Sequence, residues 1–190
     1  MILRRLTRAL FGLGAAVWVV TVAPQLFATE VLMEDAFKEQ PEQRWRFVSD
    51  QVMGGVSVGS LVFERSGDTV VAHMRGNVST QNNGGFIQFR RTITAPRKAA
   101  GVIVRVRGNN QAYFLHMRTR GTVLPWQYYQ ATFRAESEWQ TLKIPLNQFQ
   151  GSSQWLSERI APATVRSIGV VAFGREHRAD IEVSMIGFYQ

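Results

Sequence analysis

Apolar and polar residues alternate along most of this chain in short runs. They cover residues 69–75, 86–91, 102–107, 111–119, 127–134, 139–144, 167–173 and 180–188. A period of two over six to nine residues predicts strands rather than helices. The runs are separated by Gly76-Asn77, Asn83-Gly84-Gly85, Gly108-Asn109-Asn110, Gly121 and Gly174, residue types that accept the positive φ of tight turns. Eight such strands with no room for a long helix predict an all-β fold, a β-sandwich of jelly-roll type. The alternation also assigns faces. In residues 102–107 the valines oppose Arg105 and Arg107. In the next run Tyr113, Leu115 and Met117 oppose Phe114, His116 and Arg118, and in the third Tyr129, Ala131 and Phe133 oppose Tyr128, Gln130, Thr132 and Arg134. One face therefore reads as core and the other as basic with interleaved aromatics, which is either an ordinary solvated outer face or a concave binding surface.

The N-terminal part has a different pattern. Arg4, Arg5 and Arg8 precede an uncharged run of 21 residues, 9–29. A basic arm followed by an apolar run predicts a short hydrophobic helix acting either as a signal peptide, cleaved after Ala28, or as a membrane anchor, since about 20 apolar residues span a bilayer. Either version keeps the arginines on the cytoplasmic side and sends the remainder across. The domain is expected to be periplasmic or otherwise exported, held at the cytoplasmic membrane through residues 9–23 if uncleaved, and mitochondrial if the chain is eukaryotic. Residues 29–43, polar and acidic, read as a linker or short surface helix, and residues 44–190 as the sandwich.

Composition sharpens this picture. The chain has 190 residues, 22 Lys plus Arg against 14 Asp plus Glu, and no cysteine. Without thiols there is no disulfide scaffold, thiolate zinc site, iron–sulfur cluster or cysteine nucleophile. The charge is concentrated: residues 69–135 hold ten bases and no acid. Such a field attracts anions, whether an acidic protein surface, an acidic glycan or anionic lipid. Nucleic acid is not expected, because no recognised nucleic-acid module is present. Chemistry is hard to assemble. His73, His116 and His177 have no metal-triad spacing, no nucleophile elbow or phosphate-binding glycine loop occurs, and the acids lie near the ends of the domain. No catalytic or metal-binding residue is expected, and no cofactor. A structural Ca²⁺ held by oxygens of the Asp50 and Asn82 loops stays open, since the spacing is not diagnostic.

Two stretches stand out, residues 45–57 (Trp-Arg-Phe-Val-Ser-Asp-Gln-Val-Met-Gly-Gly-Val-Ser) and residues 75–85 (Arg-Gly-Asn-Val-Ser-Thr-Gln-Asn-Asn-Gly-Gly). Paired glycines allow close backbone approach, and Asp50, Ser57, Asn82 and Asn83 can satisfy exposed backbone groups in the turns they occupy. The loops either lock against each other at one end of the sandwich or face a ligand. In order and spacing these blocks resemble the complex I intermediate-associated protein 30 family, the domain associated with assembly of NADH:ubiquinone oxidoreductase. Trp45, Ser49, Asp50, Met53, Gly54, Gly55 and Ser57 match the first family motif. Gly76, Val78, Ser79, Asn82, Asn83, Gly84, Gly85, Phe86 and Arg90 match the second, with Met74 where an aromatic is common. The turn at Arg105–Gly108 followed by Tyr113, the strand at Tyr129–Phe133, and Trp139 with Ile144-Pro145 extend the resemblance towards the C-terminus.

The resemblance implies a galactose-binding-like sandwich and a non-catalytic role. The expected function is docking of a protein partner, such as a respiratory-complex assembly intermediate, at or across a membrane. The alternative is a carbohydrate-binding module of a periplasmic or secreted protein, with Trp126 and Tyr128 stacking on sugar rings while Arg118, Arg134 and Gln130 bond hydroxyls or carboxylates. The candidate binding residues are Asp50, Met53, Gly54, Gly55, Ser57, Asn82, Asn83, Arg90, Arg105, Arg118, Trp126, Tyr128, Gln130 and Arg134.

Overall fold

The computed structural model describes residues 29–190. The N-terminal signal or anchor reading lies outside the described residues. The strands are β1 (Val31–Asp35), β2 (Arg46–Ser49), β3 (Val58–Ser66), β4 (Thr69–Val78), β5 (Phe86–Thr92), β6 (Gly101–Gly108), β7 (Gln111–Thr119), β8 (Tyr129–Ala135), β9 (Gln140–Pro145), β10 (Gln150–Gly151), β11 (Val165–Phe173) and β12 (His177–Tyr189), with one short helix, α1 (Pro41–Arg44). They form two antiparallel sheets. The first runs β3-β4-β12-β6-β9, with β1 beside the C-terminal half of β12, and the second runs β10-β8-β7-β11-β5-β2. This is the expected all-β sandwich.

Buried apolar side chains of the alternating strands fill the space between the sheets: Val102, Val104 and Val106 of the first sheet face Leu115, Met117 and Val170 of the second. An aromatic cluster closes one part of the core. Trp45 packs 5.4 Å from both Phe37 and Phe89, and Phe63 lies 5.8 Å from Phe37. Truncating a fully buried aromatic of this kind costs about 3–5 kcal/mol. Tyr113 ties the sheets together. Its hydroxyl donates to Asn109 Oδ1 (2.7 Å) and accepts from the Asp180 N–H of β12 (2.8 Å). Burial pushes its phenol pKa up to about 12, so the hydroxyl keeps its proton.

Three expectations need correction. Residues 29–43 are not a free linker, because β1 pairs with β12 from Val31↔Tyr189 to Asp35↔Ile186 and its last residue, Asp35, is buried. The Asp35 carboxylate accepts from the Phe37 N–H (2.9 Å), from Trp45 Nε1 (3.0 Å) and from the guanidinium groups of Arg44 and Arg91. Burial alone would raise its pKa, but these donors pull it below the usual carboxylate value. Second, the eight alternating runs leave out a nine-residue edge strand, β3, at residues 58–66. Leu61 and Phe63 pack half-buried against the core, but the exposed Val62 between them hides the alternation in the sequence. Third, the ten bases of residues 69–135 do not share a surface. Arg75, Arg105 and Arg107 lie on the first sheet, Arg90, Arg91, Arg118 and Arg134 on the second. Alternation assigns a residue to a face of its own strand but does not say which sheet that strand joins.

Candidate binding face

Antiparallel register places residues that pair directly on the same side of a sheet, so the outer face of the second sheet can be read in rows. Arg46 of β2 pairs with Arg90 of β5, Arg90 with Gly169 of β11, Gly169 with His116 of β7, and His116 with Gln130 of β8. The row on one side is Thr92, Ser167 and Arg118. The row on the other is Val48, Gln88, Val171, Phe114 and Thr132. The face thus runs from an arginine-rich end, near Arg118 and Ser167, to an aromatic end, near Phe114, Phe86 and Phe173.

At the arginine end lies an open cleft of about 750 Å³ lined by Arg44, Arg46, Arg90, Arg91, Arg118 and Arg166 with no acidic side chain. Arg44 and Arg91 share the Asp35 carboxylate behind them, which offsets one of their two charges. Among the described residues Arg46, Arg90, Arg118 and Arg166 have no acidic partner. Partial burial, together with repulsion from Arg118 and Arg46, lowers the Arg90 pKa. Gly169 lets Arg90 lie across β11, because a side chain there would press on Arg90 Cβ and the Phe89 carbonyl, both 2.9 Å away.

A smaller groove of about 60 Å³ continues the cleft across Gln88, His116, Pro125 and Tyr128, sharing Arg90, Arg118 and Ser167. Its floor is aromatic. Tyr128 stacks on His116 with centroids 4.1 Å apart and planes 13° from parallel, and Phe173 meets both rings edge-on. Burial lowers the His116 pKa to about 4, the neighbouring Gln130 amide offsetting this only in part, so the imidazole is neutral near pH 7. His116 Nε2 and Gln130 Oε1 are both buried without a partner.

The loop from β7 to β8 stands beside this groove and is built rigidly. Thr122 Oγ1 accepts from the Thr119 N–H (3.0 Å) and donates to the Thr119 carbonyl (2.8 Å). The Gln127 side-chain carbonyl accepts from the N–H groups of Val123 (2.9 Å) and Leu124 (3.0 Å). Arg118 donates to the carbonyls of Thr122 (3.2 Å) and Leu124 (2.8 Å). This framework holds Val123, Leu124 and Trp126 outward, 80%, 41% and 64% exposed, and Trp155, on the connection from β10 to β11, is 83% exposed.

At the opposite end of the sandwich the two glycine-paired loops lock together. Asp50 is fully buried, and its carboxylate accepts from Ser57 N–H (2.9 Å), Ser57 Oγ, Gly85 N–H and Phe86 N–H (3.2 Å). Burial would raise its pKa, but these donors hold it below the usual value. The two glycines of each pair have separate jobs. Gly54 (φ 89°) and Gly85 (φ 127°) adopt left-handed backbone, whereas a Cβ on Gly55 or Gly84 would collide with the Asp50 carboxylate. The lock presents Val52 and Met53 to solvent, 73% and 67% exposed, beside partly exposed Val56 and Val58.

The candidate residues therefore divide. Arg90, Arg118, Tyr128 and Gln130 meet on one face with Trp126 beside them, and Arg134 lies on the same face of β8 nearer the aromatic end, where its neighbour Ala112 pairs. Met53 and Gly54 stand on the exposed loop tip, and Asn82 and Asn83 are exposed in left-handed conformation. Asp50, Gly55 and Ser57 are enclosed and cannot touch a partner. With both Asp50 oxygens taken up by N–H and O–H donors, that carboxylate is not free for a calcium ion, and no group of three or more His, Asp or Glu gathers among the described residues. Arg105 sits on the first sheet, its guanidinium 5.7 Å from the Trp139 ring, remote from Arg118. Neither Asp50 nor Asp180 lines the groove around His116; Asp180 pairs instead with His73 Nε2 at 2.7 Å. Arg46, Arg166 and the Asp35-bound arginines were not among the expected site residues. Arg46-Phe47-Val48-Ser49 does not alternate, so no periodicity marks Arg46, and Arg166 lies at an irregularity in the pairing of β11 with β7.

The family model described as complex I intermediate-associated protein 30 matches residues 35–184. No curated protein sequence matches the chain. The solved family 11 carbohydrate-binding module from Clostridium thermocellum, in complex with a β-1,3-1,4-mixed-linked tetrasaccharide, is similar in fold. Its TM-score is 0.65 at 14% identity, covering 82% of this chain and 94% of that one. The family 11 module of the Clostridium thermocellum cellulosomal cellulase Lic26A-Cel5E gives 0.65 at 12% identity, over 84% and 94%. An exo-β-agarase gives 0.53 at 7% identity over 86% of this chain and 25% of its own. At these identities the likeness is one of fold.

Proposed function

The chain belongs to the complex I intermediate-associated protein 30 family, and from that premise we propose that it is a non-catalytic docking domain that binds a protein partner at a membrane, in the manner of an assembly factor. The observation that carries this reading is the loop lock. Asp50 fixes two loops against each other and leaves Val52 and Met53 exposed on the turn, where no other described residue covers them. Rigid, exposed apolar residues flanked by polar ones are suited to insertion into a partner's pocket, where a few anchors supply most of the binding energy. Crosslinking in native membranes followed by mass spectrometry tests it. Recovery of respiratory-complex subunits with the wild type and their loss with Val52→Ser/Met53→Ser supports the reading, and equal recovery from both proteins refutes the assigned surface.

A carbohydrate reading has its own support. Tyr128 lines the groove with Arg118, and Trp126 is exposed beside it, an arrangement able to stack on a sugar and bond its hydroxyls. A glycan array on which Trp126→Ala and Tyr128→Ala abolish binding favours it over protein docking.

A further inference from the structure

We propose that the arginine end of the second sheet is a membrane-docking surface that takes the phosphate headgroups of anionic phospholipids. Four features of that end converge on this occupant. Arg46, Arg90, Arg118 and Arg166 line the cleft without an acidic partner among the described residues, and guanidinium groups bond phosphate oxygens in the same bidentate geometry as carboxylates. Their mutual repulsion is retained in the fold, and an anion relieves it.

The cleft's rim separates a lipid from a soluble anion. Val123, Leu124 and Trp126 project from the loop that Arg118 ties to the cleft, with Trp155 on the β10–β11 connection, all exposed and covered by no other described residue. A free phosphate or an acidic peptide gives this apolar rim no role. A bilayer uses both parts, because apolar and tryptophan side chains favour the boundary between headgroups and acyl chains while arginines hold the anionic surface. The two parts are also mechanically one. Arg118 contributes to the cleft and holds the projecting loop through the Thr122 and Leu124 carbonyls, so headgroup binding and loop presentation share a side chain.

The path of the chain agrees with this orientation. The connection from β5 to β6 bonds Arg166 at one end, through the Ile93 N–H (2.9 Å), and Tyr189 at the other, through the Ala100 N–H (2.8 Å). Val31, near the start of the described residues, pairs with that Tyr189. The described chain, which follows the uncharged run in sequence, therefore enters the domain at the end that carries the cleft. With this end on the bilayer, the Val52-Met53 tip at the other end of the sandwich points away from it, leaving the proposed partner surface free.

The test uses the full chain in phosphatidylcholine vesicles with and without phosphatidylglycerol, reading quenching of Trp126 and Trp155 by brominated lipids with Trp18→Phe silencing the N-terminal run. Quenching is expected to require phosphatidylglycerol and to fall with added salt. Arg90→Gln/Arg166→Gln changes two cleft arginines without touching the loop framework. It should weaken the phosphatidylglycerol-dependent signal about thirtyfold, given roughly 1 kcal/mol for each of the two basic residues at an anionic surface. Arg105→Gln/Arg178→Gln removes the same charge from the first sheet and its far end, and should leave the signal within about twofold. Quenching that is equal in pure phosphatidylcholine, or equal loss from both double variants, overturns the proposal, since the first outcome leaves no headgroup site and the second leaves only net charge. Displacement by an acidic peptide or an acidic glycan, with no lipid quenching, assigns the cleft to those ligands instead and also overturns it. Loss of quenching leaves the Val52-Met53 crosslinking result untouched, so the two readings fail separately.

Discussion

The two ends of the sandwich each bury an aspartate, and they do opposite things with its charge. Asp50 is surrounded by backbone N–H groups and one hydroxyl, donors that carry no net charge of their own. Its negative charge is spent on fixing a loop whose outer tip is apolar. Asp35 is met by two arginines, each of which also reaches the cleft lining, so its charge offsets cations that would otherwise add to an already crowded cluster. A carboxylate satisfied by the backbone builds shape, whereas one satisfied by side chains sets how much charge the surface presents.

The largest effect follows directly from that difference. Asp50→Asn turns one acceptor oxygen into an NH₂ donor facing N–H and O–H groups in a site with no water access, and should destabilise the domain by about 3–5 kcal/mol. Asp35→Asn should cost about 1–2 kcal/mol, because Arg44 and Arg91 remain 32% and 21% exposed and can hydrate when released. Urea denaturation measures both. The midpoint should fall much further for Asp50→Asn with m unchanged, and equal shifts would remove the contrast between the two ends.

Much of the Asp50 end could be read in the sequence, because Ser-Asp followed by Gly-Gly and Asn-Asn-Gly-Gly are local patterns with a local cause. The Asp35 end could not. Asp35 lies in an edge strand with an exposed or half-exposed pattern, its arginine partners come from α1 and from β5, and the cleft they share is assembled across strands β2, β5, β11 and β7. Alternation showed which side of β7 Arg118 occupies. Only register shows that Arg90 and Arg46 fall in the neighbouring row and that Arg105 belongs to the other sheet.

Within the lock, the glycine pairs permit a finer comparison. Gly55→Ala forces a Cβ into the Asp50 carboxylate and should cost about 2–3 kcal/mol. Gly54→Ala meets open space and suffers only from its positive φ, about 1 kcal/mol. Thermal melts that rank them in reverse would mean that backbone conformation, not close approach, decides this motif.

Acid should act on both ends. Each aspartate has a folded pKa below its ordinary value of 3.8, so the unfolded chain takes up the proton first as pH falls. The stabilisation is present in full well above pH 3.8 and is lost as pH drops through the folded values. In Asp50→Asn the stability curve should therefore be flatter on its acid side than in the wild type. An unchanged acid slope would show that Asp50 is not a source of the pH dependence.

The smallest effect has the opposite sign. Arg90 is partly buried among Arg118 and Arg46, and its lowered pKa means that the folded state disfavours the charge it carries. Arg90→Gln should therefore stabilise the isolated domain slightly, by about 0.5 kcal/mol at low ionic strength. Salt distinguishes this from a packing gain. Sodium chloride screens the repulsion in the wild type, so the advantage of the variant should shrink as salt rises, whereas a packing effect would persist. A variant that is less stable at every salt concentration would mean that the Arg90 stem, lying across Gly169, contributes more by contact than its charge removes. The arginine end would then be a packed surface that happens to be basic, not one holding charge against its own stability for an incoming anion.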